Sequence, residues 1–119
     1  MKKLISFLSL CLAASALSAA DRPRKLVMIA GKPSHPPLMH EFRAGTLLLA
    51  ERLKGVRGLT VEVHTNGWVS DATAFDGADA VFIYADGGGR HPAVVDGHLD
   101  VLRGLIARGV GFGMRSGHR

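Results

Sequence analysis

The sequence has 119 residues, which is enough for one domain at most. Its formal net charge is +5, but no basic run alternates with aromatic residues, so we predict no nucleic-acid partner. The one cysteine, Cys11, lies near the N-terminus, so the rest of the chain offers no disulfide, thiol nucleophile or cysteine metal site.

The first 20 residues have the layout of a secretory signal peptide. Lys2 and Lys3 precede an apolar run over 4–14, and small residues at 18–20 provide a cleavage site. We predict cleavage after Ala20 and export to the periplasm or the extracellular space. Because the removed segment carries two basic residues and no acidic ones, cleavage lowers the net charge from +5 to +3.

No stable membrane anchor is expected after cleavage. The apolar run is too short to span a bilayer comfortably. A lipoprotein signal needs a small residue before its cysteine, and Leu10 precedes Cys11.

Apolar periodicity predicts alternating strands and helices in the remaining chain, 21–119. The predicted elements are a strand over 25–30, a helix over 38–53, a strand over 59–64, a helical turn over 71–75, a strand over 80–84, a helix over 94–108 and a strand over 109–114. This alternation is typical of an open parallel α/β sheet with helices on both faces.

The first predicted helix carries apolar residues at helical spacing, among them Phe42, Leu49 and Leu53. Gly45 interrupts this helix, and glycine there costs about 1 kcal/mol relative to alanine. The glycine therefore predicts a close approach between the helix and the sheet.

Ligands of open α/β sheets bind at the carboxyl ends of the strands. The loops at that edge are 31–37, 65–70, 85–92 and 115–119, and they hold most of the chemically capable side chains.

The loop DGGGRH after the third predicted strand has two interpretations. Three glycines let backbone amides face an anion, but they also suit a tight turn into the next helix. The neighbouring arginine and histidine favour a carboxylate, a phosphate or a sugar hydroxyl as ligand. The candidate ligand-binding residues are Asp86, Gly87, Gly88, Gly89 and Arg90, and the candidate catalytic residue is His91.

The loop after the first strand supplies His35, followed by His40 and Glu41. These residue types bind metals or transfer protons. Their spacing, H-x4-H-E, differs from H-E-x-x-H, so we predict no metal and no cofactor. His35 is a candidate catalytic residue, and His40 and Glu41 are candidate ligand-binding residues that would otherwise face solvent.

Trp68, in the turn after the second strand, could stack on a sugar ring or pack against the sheet edge. It is a further candidate ligand-binding residue. His64 and His98 are predicted to be structural, and the aspartates at 71, 76 and 79 to be caps or turn formers.

Together these segments resemble the ThuA-like family, named for trehalose utilisation. The resemblance rests on GKPSH at 31–35, HEF at 40–42, NGW at 66–68, FDGADAVFIYADGGGRHP at 75–92 and GVGFGM at 109–114. It implies a flavodoxin-like, three-layer sheet similar to that of class I glutamine amidotransferases, and a link to carbohydrate metabolism. It also implies a pocket formed by His35, the 86–91 loop and the turn after Met114.

The chain departs from the family at its end. ThuA-like chains have a histidine-bearing turn after the strand that matches 109–114 and then continue for about another half domain, whereas this chain reads RSGHR and stops. The family role is not carried over to His118. We expect residues 21–119 to be the N-terminal part of a ThuA-like domain, incomplete at the C-terminus. Because no helix would cover the last strand, we expect marginal stability or self-association.

The signal peptide predicts an exported protein, and the resemblance implies that it acts on or binds a carbohydrate-derived small molecule. Histidine and carboxylate acid–base chemistry is the kind available to it. The alternatives are a non-catalytic ligand-binding module and an inactive truncated fragment, and the sequence leaves open whether the protein is an enzyme.

Overall fold

The computed structural model describes residues 22–117, which form an α/β fold around a four-stranded sheet. The predictions about the signal peptide and His118 lie outside the described residues. The elements are β1 (Arg24–Ala30), α1 (Phe42–Leu53), β2 (Leu59–His64), a 3₁₀ helix (Ala72–Phe75), β3 (Ala80–Asp86), α2 (His98–Ala107) and β4 (Gly111–Gly117).

All four strands are parallel, and their order across the sheet is β2-β1-β3-β4. This confirms the predicted open parallel sheet and matches the first four strands of the flavodoxin-like order. After β1 the chain moves to one side to form β2 and then returns to the other side to form β3. The crevice between the carboxyl ends of β1 and β3 is therefore the topological switch point, where ligands bind in such sheets.

The two faces of the sheet are covered by different helices. Val27 and Ile29 of β1 and alternate residues of β3 form a buried cluster with Leu102 and Leu105 of α2. Helix α1 contacts β1, β2 and β3, and it buries Phe42 against the ring of Tyr84. Because successive strand side chains point to opposite faces, one apolar strand can serve both helices.

Helix α1 begins at Phe42 and not at Leu38, so the predicted start was four residues too early. Leu38 has a φ of 73° and its side chain is 91% exposed, so the segment before Phe42 is a loop with a left-handed residue. Glu41 ties this loop to the helix, since its carboxylate accepts a hydrogen bond of 2.6 Å from the Leu38 amide.

Helix α2 begins at His98 and not at Val94 for the same physical reason. Asp96 and Gly97 have φ values of 53° and 75°, which interrupt the helical backbone.

The 3₁₀ helix was predicted correctly: Asp71 caps it by accepting a hydrogen bond of 2.7 Å from the Thr73 amide. Among residues 22–117, no helix is both long enough and apolar enough to cross a bilayer.

The predicted close approach at Gly45 is confirmed. A Cβ at this position would lie 2.7 Å from Cε1 of Tyr84, well inside van der Waals contact. The buried stripe of α1 consists of Phe42, Thr46 and Ala50, while Leu49 is exposed. The small residues sit under the sheet because the helix backbone packs so close to it.

Strand β4 lies at one edge of the sheet, paired only with β3 among the described strands. Phe112 and Met114 on this strand are exposed. Its exposed apolar side chains agree with the expectation that this part of the sheet is poorly covered.

Gly31, directly after β1, allows the closest backbone approach in the site region. An alanine Cβ there would lie 2.6 Å from Cβ and 3.0 Å from Cα of Ala85 in β3. We expect Gly31→Ala to lower the free energy of unfolding by about 1–3 kcal/mol, because the clash involves backbone that cannot move freely. Gly55→Ala is the matched control, since its Cβ would meet no atom within 4 Å. Urea unfolding of both variants tests this, and equal losses would contradict it.

Asp79, at the start of β3, joins the amino ends of the two central strands. Its carboxylate accepts hydrogen bonds of 2.8 and 2.9 Å from Arg22, 3.0 Å from Arg24 and 2.8 Å from the Lys25 amide. The Arg22 guanidinium, the Lys25 amide and the Arg24 guanidinium together hold the pKa of Asp79 far below its usual value. Its role is thus more than the turn former expected from sequence.

We expect Asp79→Asn to lower the melting temperature at pH 7. The folded-state pKa of Asp79 is depressed, so its contribution is complete above the unfolded value of about 3.9 and is lost as the pH falls through the folded-state pKa. The difference in melting temperature between wild type and Asp79→Asn should therefore shrink below about pH 4. Asp100→Asn, at an exposed carboxylate paired with Arg103, is the control and should change little. A gap that stays constant down to pH 2 would contradict the assignment.

Candidate functional site

A cavity of about 950 Å³ opens at the switch point between β1 and β3. Its walls come from the loop after β1, the turn after β2, the glycine loop after β3 and the start of α2. All four loops predicted at the carboxyl edge contribute to it, the fourth only through Gly117, which the structure places at the end of β4. A cavity of this size is within the range that holds a drug-sized or sugar-sized molecule.

Two histidines and one aspartate form the polar centre of the cavity. His35 Nδ1 lies 3.3 Å from Asp86 Oδ2, and His40 Nδ1 lies 2.9 Å from Asp86 Oδ1. The two imidazole centroids are 4.1 Å apart. The side chains of His35, His40 and Asp86 are 36%, 20% and 27% exposed, so the group is accessible from the cavity without being a free surface cluster.

Asp86 is ionised in this setting. The nearby Ser34 hydroxyl lowers the pKa of Asp86, and the charges of His40 and His35 lower it further against the effect of partial burial. Ser34 Oγ also lies 3.0 Å from His35 Nδ1. The carboxylate is therefore a fixed negative charge between two imidazoles.

The backbone explains why these side chains meet. Asp86 is the last residue of β3, and the Gly31 amide donates a hydrogen bond of 2.8 Å to the Tyr84 carbonyl. This bond extends the pairing of β1 with β3 by one residue, so the loop that carries His35 leaves the sheet beside Asp86. The loop from 31 to 41 also carries His40, whose Nδ1 approaches the same carboxylate.

Trp68 lines the cavity and stacks on His98, with centroids 3.8 Å apart and ring planes at 4°. His98 Nδ1 must carry a proton, because it lies 2.7 Å from the Pro92 carbonyl oxygen, which can only accept. Phe75 packs edge-on against Trp68, with ring centroids 5.7 Å apart. The indole therefore packs within the protein and also presents apolar surface to the cavity.

The glycine loop needs glycine for backbone conformation only at Gly88, whose φ is 80°. A Cβ at Gly88 or Gly89 would meet no atom within 4 Å, and one at Gly87 would lie 3.8 Å from Ser116 Cβ. Packing within the protein thus does not demand three glycines here. The open space beside them is part of the reason that the cavity is wide.

His91 is buried, with 5% of its surface exposed, and it does not line the cavity. Its Nδ1 accepts a hydrogen bond of 3.1 Å from the Ala93 amide, and its buried Nε2 has no hydrogen-bond partner among the described residues. Burial lowers the pKa of His91, so the ring is neutral. In this conformation it anchors the loop and has no access to a ligand.

The structure brings most of the predicted site residues together. Those that line the cavity are His35, His40, Trp68, Asp86, Gly87, Gly88 and Arg90, and those that do not are Glu41, Gly89 and His91. Five polar lining residues were not singled out as ligand contacts from sequence: Lys32, Ser34, Asn66, Asp96 and His98. Lys32 and Asn66 lie in loops that the strand pattern placed at this edge, whereas His98 is at a helix start that was predicted too early.

Comparison with known proteins adds no family or function. No protein-family model, no curated protein and no solved structure matches this chain. The resemblance to the ThuA-like family therefore remains a prediction carried by the quoted sequence segments.

We expect protonation of His91 to destabilise the folded protein. The folded-state pKa of His91 lies below the unfolded value of about 6.5. The free energy of unfolding therefore has its full value above that pH and decreases as the pH drops towards the folded-state pKa. His91→Asn retains an acceptor for the Ala93 amide but does not titrate. The free energy of unfolding of the variant should therefore change less between pH 7.5 and 5 than that of wild type. Identical pH profiles would rule out this role.

Proposed function

We propose that the protein is an exported ThuA-like protein that binds a carbohydrate-derived small molecule in the switch-point cavity. The observation that carries the proposal is the convergence of His35 and His40, from the loop after β1, with Asp86, at the end of β3, on the wall of one cavity. The quoted resemblance supplies the class of ligand.

The lining of the cavity suits a molecule with many hydroxyl groups. Asp86 offers carboxylate oxygens that accept from hydroxyls, and Lys32 and Arg90 offer cationic donors. Asn66 can both donate and accept. Trp68 adds an apolar surface against which the carbon face of a sugar ring can lie.

The same cluster contains groups for proton transfer. His35 is the more exposed of the two imidazoles, and the ionised Asp86 beside its Nδ1 can orient the ring. The ring can then exchange a proton with a bound hydroxyl. His91 is not part of this chemistry, because it is buried away from the cavity.

Binding is tested by thermal unfolding with trehalose, glucose and other common sugars as probes. A ligand that binds only the folded state raises the melting temperature with its concentration. Asp86→Asn should weaken binding by about tenfold or more, since a hydrogen bond to a charged group contributes about 1.5–3 kcal/mol. Asp100→Asn is the matched control on an exposed carboxylate outside the cavity. Sugars that stabilise neither wild type nor control, or that stabilise Asp86→Asn equally, would refute the proposal.

A second measurement separates an enzyme from a binding module. The bound sugar is recovered after incubation and analysed by NMR. If His35 transfers protons, wild type changes the sugar, and His35→Ala binds it but no longer changes it. Unchanged sugar recovered from wild type would identify a non-catalytic module, which the position of His91 outside the cavity favours.

A further inference from the structure

The arrangement around Asp86 differs from an ordinary histidine–carboxylate pair. Each carboxylate oxygen faces the Nδ1 of a different imidazole, at 3.3 Å for His35 and 2.9 Å for His40. The two rings lie with centroids only 4.1 Å apart. Two imidazoles thus converge on one negative charge. Each of the three side chains offers one ligand atom, and these three atoms lie within 4.8 Å of one another.

Protons alone do not satisfy this arrangement. Two imidazolium rings at this separation would repel each other and share a single negative charge. His40 Nδ1 is buried, and its 2.9 Å approach to Asp86 Oδ1 lacks the alignment of a good hydrogen bond, so the nitrogen has no well-aligned partner among the described residues. A buried nitrogen without a partner is costly, because it has lost its bond to water.

The distances match those between the ligands of one metal ion. Nitrogen and oxygen ligands lie about 2.0–2.2 Å from Zn²⁺, so two ligands at tetrahedral positions are about 3.3 Å apart. The separations of 3.3 and 2.9 Å are close to this value. The three ligand atoms lie within 4.8 Å of one another, so an ion would draw them together, and it would accept the lone pair of the buried His40 nitrogen.

We propose that His35, His40 and Asp86 form a binding site for a first-row divalent transition-metal ion such as Zn²⁺. Imidazole nitrogens and one carboxylate suit this class of ion and not Ca²⁺ or Mg²⁺, which prefer oxygen ligands. Three protein ligands would leave a further coordination position for water or a ligand, as in catalytic sites, and all three side chains line the cavity.

The inference goes beyond the proposed sugar binding and does not depend on it. With an ion bound, the three side chains would act as ligands, and the ion would supply a bound water or hydroxyl of lowered pKa for proton transfer in place of His35. A sugar hydroxyl is a chemically suitable occupant of the open position. In the metal-free protein, His35 keeps the proton-transfer role described above.

The third ligand is the reason that sequence spacing did not indicate this site. Glu41 follows His40 in sequence, but its carboxylate accepts a hydrogen bond from the Leu38 amide and it does not line the cavity. Asp86, which is far from both histidines in sequence, takes that place because β3 lies beside β1.

The test is calorimetric titration of chelator-treated protein with ZnCl₂, without any sugar. Wild type should bind one equivalent, and His40→Ala and Asp86→Asn should each weaken binding by about tenfold or more, since loss of an outer contact alone costs 10- to 100-fold. His64→Ala is the matched control, because His64 pairs with Glu62 outside the cavity. It should bind like wild type. Co²⁺ should give visible absorption bands with wild type and lose them with His40→Ala.

Circular dichroism and melting of the metal-free variants show whether each is folded, and His35→Ala serves as the second variant because His35 lies on an exposed loop. Absence of Zn²⁺ binding by wild type, or equal binding by all three ligand variants, would overturn the proposal. Loss of binding in His64→Ala alone would do the same, since it would place the ion elsewhere. Because no sugar is present in this titration, an absence of Zn²⁺ binding does not affect the sugar-binding test. Zn²⁺ binding without sugar binding would refute only the proposed sugar-binding function.

Discussion

The contact of Gly31 with Ala85 is the constraint on which the site depends. It brings the backbones at the ends of β1 and β3 close together, and the hydrogen bond from the Gly31 amide to the Tyr84 carbonyl extends the pairing of the two strands by one residue. The loop that carries His35 and His40 therefore starts beside Asp86, the last residue of β3. The two histidines can then approach the carboxylate although they are remote from it in sequence.

The switch point turns this local contact into a cavity. Because β2 lies on one side of β1 and β3 on the other, the loops that leave the carboxyl ends of β1 and β3 diverge and open a crevice. The aromatic pair of Trp68 and His98 lines the same crevice as the ionised Asp86. A polar centre beside an apolar surface is the arrangement that a small hydroxylated ligand and a metal ion can both use.

Much of the fold was predictable from apolar patterning alone. The runs KLVMIA and AVFIYA become the two central strands, and the internal glycine of α1 correctly indicated a close approach to the sheet. The helix starts were less predictable. Leu38 and Asp96 adopt left-handed backbone, which non-glycine residues seldom do, so helix propensity alone extended each helix too far.

The sequence by itself determined the parallel α/β fold and the edge of the sheet at which polar loops gather, because apolar periodicity and the alternation of strands and helices along the chain follow from local composition. Only the tertiary structure decided which of those polar residues meet. His40 and Glu41 are neighbours in sequence, yet His40 faces Asp86 and Glu41 turns back to Leu38, while His91 is buried under its own loop. Such partnerships depend on distances of a few ångströms between strands that are remote in sequence, and no spacing along one chain encodes them.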